Sequence, residues 1–202
     1  MKNLKMIGLL VVAALTFSAP AQAQKFHYGV KAGANFAVQS GVAEYYDNSN
    51  ILVEGHFGLT GSYNLNKKMM LESGLNYNEE GTHGSGVTQK FNYLSVPVLY
   101  DFSFGKAYNS KMTIHLNAGP SFSYLLDAKK TIDNNGAKTT TNITSGQHRA
   151  QLSGIIGVGL MEPVGKHFVT LDLRLNVAAT RFQTDDSQSH NKMIGVYLGY
   201  TL

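Results

Sequence analysis

The stretch Thr82-His83-Gly84-Ser85-Gly86 puts a hydroxyl nucleophile two residues from an imidazole, the minimum for acyl transfer. A working serine also needs its base oriented by a third group and an oxyanion site. Two side chains at that spacing among glycines supply neither, and the stretch reads as a polar loop tip. His27, His56 and His115 are candidates for metal ligation, but they fall on three separate segments without a known ligand spacing. They read as polar residues of an interior wall. More informative are six charges, Lys31, Glu72, Asp101, Arg149, Asp172 and Arg174, set among small polar residues. Buried charges of both signs are tolerated only when paired. The expected chemistry is therefore a structural ion network, with no catalytic residue, metal or cofactor.

The segments that carry these charges alternate with a period of two. In "HYGVKAGANFAV", Tyr28, Val30, Ala32, Ala34, Phe36 and Val38 share one face and Lys31 lies on the other. Seven further segments repeat this: residues 54–65, 69–78, 93–104, 112–124, 149–160, 168–177 and 194–202. Within these spans no Asp, Glu, Lys or Arg falls on the apolar face, and every charge falls on the other. A Lys or Arg facing lipid at mid-bilayer costs ~2–4 kcal/mol, so this exclusion points to a lipid-facing exterior. The opposite face is mainly Gly, Ser, Asn and Thr, small enough to fill a narrow interior. Aromatic side chains on the apolar face gather near segment ends. Tyr28, Tyr63, Tyr100, Phe102, Phe104 and Tyr200 would form one girdle, and Phe36, Phe57, Tyr77, Phe122 and Tyr124 the other. The expected fold is all-β, an eight-stranded antiparallel up-and-down transmembrane barrel. Pro97 and Pro120 would each remove a ladder donor and mark bulges. A fold of six strands and two irregular segments is the alternative.

Composition agrees with that reading. Only 15% of residues are charged, against ~25% in an ordinary soluble domain, and there is no cysteine for a disulfide or lipid anchor. Lys2 and Lys5, an apolar run from Met6 to Phe17 and Ala21-Gln22-Ala23 have the form of a secretory leader, so residues 1–23 are expected to be removed. Residues 24–202 then form one barrel domain. Loss of the two lysines takes the formal charge from +4 to +2, too weak a bias for nucleic acid. "NLNKK", "GKAYNSK" and "EPVGKH" are short turns, alternating with longer polar segments at 39–53, 80–90, 127–147 and 181–192. That parity collects the short turns with both termini at a periplasmic end and the long loops outside.

"GVKAGANFA", "NYLSVPVLYDF", "AGPSFSYLLDAK" and "LGYTL" resemble, in order and spacing, the PorT-type outer-membrane β-barrel family of Bacteroidota, from about Gly29 to Leu202. Both prolines match positions where that family commonly has proline, whereas Leu202 stands where a terminal Phe would be expected. The resemblance implies an outer-membrane barrel; in that family the named member is linked to protein secretion. No residue carries that role over individually. The expected partners are outer-membrane lipids and a protein at the loops or turns. Glu44, Tyr45, Tyr46 and Asp47 are candidate loop contacts, and the third loop adds Lys129, Lys130 and Lys138. The expected function is structural or binding; alternatives are a small gated channel, an outer-membrane lipid hydrolase or a soluble periplasmic barrel.

Overall fold

The computed structural model describes residues 26–40, 51–84, 86–104, 112–134, 137–180 and 190–202. The expected leader and the loop residues Glu44 to Asp47 lie outside these. Nine strands form: β1 (Phe26–Ser40), β2 (Leu52–Asn64), β3 (Met69–Gly84), β4 (Val87–Phe104), β5 (Thr113–Asn134), β6 (Ala137–Asn142), β7 (Ala150–Val164), β8 (His167–Ala178) and β9 (His190–Thr201). Eight of them pair antiparallel in the circuit β1-β2-β3-β4-β5-β7-β8-β9, and β9 returns to β1. Val30, for example, faces Leu59 on one side and Tyr200 on the other. The wall has no free edge because the ladder closes on itself. Beyond the last strand, the Leu202 N–H still donates to the Tyr28 carbonyl at 2.8 Å.

Alternation sets which way each residue points. Leu171, Leu173, Leu175 and Val177 of β8 and Ile194, Val196, Leu198 and Tyr200 of β9 are exposed on the outside, while Thr170, Asp172, Arg174 and Asn176 are buried within. An apolar surface that encircles the barrel is far larger than a soluble monomer exposes; hydrocarbon is its solvent. On β8 the belt runs from Val169 to Val177, nine residues, the length a tilted strand needs to cross a bilayer. Among the described residues, charges on the outer face of the wall stand at its borders: Glu162 at the short-turn end, and Glu79, Lys90, Asp127, Lys129 and Lys192 at the long-loop end.

Three expectations are corrected. The segment 80–90 is not a loop: β3 and β4 continue past the belt, pairing to Gly84↔Val87. Residues 127–142 likewise extend β5 into a hairpin with β6, whose six residues are all exposed. Sequence reading stops these strands where polar residues begin to face outward. Yet once a strand leaves the bilayer its outer face should be polar, so the change marks the membrane border and not the end of the ladder. Finally, the prolines make no bulges. Register across β4 and β5 is unchanged from Val96↔Phe122 to Tyr100↔Ala118, and across β5 and β7 through Pro120↔Gly154. Pro97 removes one donor without inserting a residue, and Ser73 Oγ donates to its carbonyl at 2.7 Å. The shift in register lies at Asn92/Tyr93, where Asn92 pairs Asp127 and Tyr93 pairs Leu125, so that Leu126 is the extra residue.

Candidate functional site

The interior is filled in layers. At its centre Lys31 Nζ of β1 sits 2.7 Å from Glu72 Oε2 of β3 and 2.9 Å from Asp172 Oδ2 of β8. Arg174, two residues on and therefore on the same inward face, donates to Glu72 Oε1 at 2.8 Å and lies 3.6 Å from Asp172. His115 Nε2 of β5 is 2.9 Å from Asp172 Oδ1 and 3.6 Å from Asp101 of β4. Every member is nearly or fully buried. Ionisable residues from five strands thus meet across the barrel, and Lys31 and Arg174 each contact two carboxylates.

Glycine makes room for these long side chains. Lys31 pairs with Gly58 on one side and Gly199 on the other, and Arg174 with Gly157 and Gly195. A Cβ on Gly199 would stand 3.1 Å from Lys31 Cγ, and one on Gly157 2.8 Å from Arg174 Cγ. The glycine-rich inner face is the complement of the cluster.

Nearer the long-loop end, Tyr197 Oη donates to Asn35 Oδ1 at 3.0 Å and its ring stacks 4.1 Å from His56. His56 Nδ1 contacts Asn78 Oδ1 at 2.6 Å, and the chain continues through Ser95 to Ser123. Further out Asn191 Nδ2 donates to Gln151 Oε1 and Tyr93 Oη. Buried Glu80 bonds Gln151, and with its outward neighbour Glu79 at the border it lies beyond the apolar belt; burial pushes its carboxyl up to about 7. Phe91, Tyr93, Leu125 and Ala128 cover this layer, with Ile143 packed against them. At the other end Met70, Met161 and Phe168 meet in a second apolar cluster. Two small chambers remain. One lies between that cluster and the ions and the other between Arg174 and Tyr197, each of about 20 Å³.

Of the six predicted network charges, Lys31, Glu72, Asp172 and Arg174 converge, and Asp101 joins through His115. Arg149 does not. It precedes β7 and is exposed, because inward parity leads to solvent once the wall has ended. His27, His56 and His115 do not converge: they contact Asn64, Asn78 and Asp172 respectively. Among the described residues no group of three His, Cys, Asp or Glu could hold a metal. His83 Nδ1 bonds Thr88 Oγ1 at 2.7 Å, and Ser85 lies outside the described residues. Sequence reading missed Glu80. Its signal was continued alternation of Asn76, Asn78, Glu80 and Thr82 into the stretch read as loop.

The family model described as "Outer membrane protein beta-barrel domain" matches residues 21–181. Among solved structures, Neisserial surface protein A (NspA) is similar at 12% identity and a TM-score of 0.52, over 86% of this chain and 95% of that one. OprG from Pseudomonas aeruginosa is similar at 12% and 0.51, over 88% and 96%. The outer membrane enzyme PagL gives 10% and 0.50, over 84% and 97%. At these identities the likeness is one of fold. No curated protein matches the chain.

Proposed function

The chain belongs to the outer membrane protein beta-barrel domain family, and from that premise we propose that it is a non-catalytic, non-conducting barrel that works by binding through its long-loop end. It is an outer-membrane protein. The observation that carries the reading is the filled lumen. Two apolar clusters and a buried ion network stand in series across the interior, and an eight-stranded barrel has room for side chains and little else. Chemistry or contact is left to the outside, where the β5–β6 hairpin is exposed at every residue of β6. The PorT-type resemblance suggests a partner in protein secretion. The likeness in fold to the outer membrane enzyme PagL is what favours an enzyme as the alternative; against it, the contact His83 makes among the described residues is to Thr88 Oγ1, and not to a group that would orient it as a base.

A photo-crosslinking residue at Thr139 or Thr141, in cells, tests the reading. Capture of one defined protein from these positions, and not from the lipid-facing Leu173, supports it. Capture of no partner, together with labelling of Ser85 by a serine-directed acylating probe, contradicts it and favours the hydrolase.

A further inference from the structure

The inner face is polar along most of its length, yet at the short-turn end it presents two thioethers. Met70 of β3 and Met161 of β7 reach across the lumen, 5% and 6% exposed, and pack with Phe168 of β8. His27 of β1 joins them, its ring edge-on to Phe168 at 5.5 Å and 87°. His27, Met70 and Met161 line one chamber, the one between the apolar cluster and the ions, whose wall also carries the ion-paired Lys31 and Glu72 and a set of hydroxyls and an amide.

We propose that His27, Met70 and Met161 form a site for a soft monovalent d10 cation, copper(I) or its analogue silver(I), through Nε2 and two thioether sulfurs. An apolar seal needs no sulfur or imidazole. Two unbranched, polarisable thioethers beside an imidazole are a donor set that selects such ions. The imidazole is held as a ligand should be. Its Nε2 lies 3.1 Å from Asn64 Nδ2, an amide donor. The Asn64 amide donating to Nε2 puts the lone pair on that nitrogen, and both residues line the chamber. Asn64, whose Oδ1 has no protein partner, is the group a metal would displace.

Charge does not oppose a cation here. Lys31, which lines the chamber, is held by Glu72 and Asp172, and Arg174 contacts the same two carboxylates, so no uncompensated cation faces the site. Zinc is excluded by ligand count: it takes four N, S or O donors, and Glu72, the carboxylate on this chamber, already holds Lys31 and Arg174.

The test uses the folded barrel in chloride-free detergent, its methionine ε-methyls labelled with carbon-13, titrated with silver nitrate. One equivalent should shift the Met70 and Met161 methyl signals together and leave exposed Met112 unmoved. Met70→Leu and Met161→Leu are close in volume, so each should keep the folded gel mobility. Each should also weaken silver binding by at least the roughly 10–100-fold seen on losing a group that supports a metal ligand. His27→Gln should weaken it as well, and zinc sulfate should shift nothing. Silver shifts spread over Met112, an unchanged affinity in folded Met70→Leu, or an equal response to zinc would each overturn the proposal.

Discussion

Glu72 holds Lys31 on one oxygen pair and Arg174 on Oε1, so Glu72→Gln would leave two buried cations sharing Asp172. Breaking a buried pair by removing one partner costs ~3–5 kcal/mol, and urea unfolding of the variant should show a loss of that order. Lys31→Met added to Glu72→Gln should recover part of it, because the uncompensated charge goes with the lysine. Equal or greater loss in the double variant would mean that the network is not coupled in this way. Glu80 belongs to a different balance. Burial raises its folded pKa from 4.5 to about 7. Between those values the folded chain keeps a proton that the unfolded chain releases. Its contribution is therefore whole below about pH 4.5 and falls as pH rises towards 7, by up to ~1.4 kcal/mol per pH unit. Glu80→Gln should flatten the stability profile across that window and be the more stable protein at neutral pH. An unchanged slope would place the titrating group elsewhere.

Alternation makes a prediction for a whole strand. On β8, Leu173 faces out at mid-belt and Asn176 faces in. Leu173→Arg should block assembly or cost ~2–4 kcal/mol, while Asn176→Ser should be mild, as read by the fraction that refolds into lipid vesicles. Equal tolerance would mean that the faces are reversed. This facing was legible in sequence because a period of two survives any register, and so were all eight wall strands and the charges of the central cluster. What pairs with what was not. Lys31, Glu72 and Asp172 lie on β1, β3 and β8, and only strand tilt and stagger decide that they meet. The prolines misled because a missing donor and an inserted residue look alike in one chain. The real insertion, at Leu126, has no signal of composition. Glu80 and the β5–β6 hairpin were lost to the assumption that a strand ends where its outer face turns polar.

For the molecule as a whole, a closed ladder, an apolar exterior and an interior crossed by an ion network and two apolar clusters support the proposed reading, a barrel that works through its outer surface and not its lumen. A pore would leave its charges lining water; here they face one another, with apolar clusters at both ends. The clusters and the ions block the same path independently, so loss of one should not open it. The most direct measurement is the conductance of the wild-type barrel reconstituted in planar bilayers, alongside Arg174→Ala. Silence from both, with the variant less stable to urea, is the outcome expected of a filled lumen. A steady, ion-selective current through the wild type, changed in selectivity by Arg174→Ala with little change in stability, would contradict it and make the protein a channel.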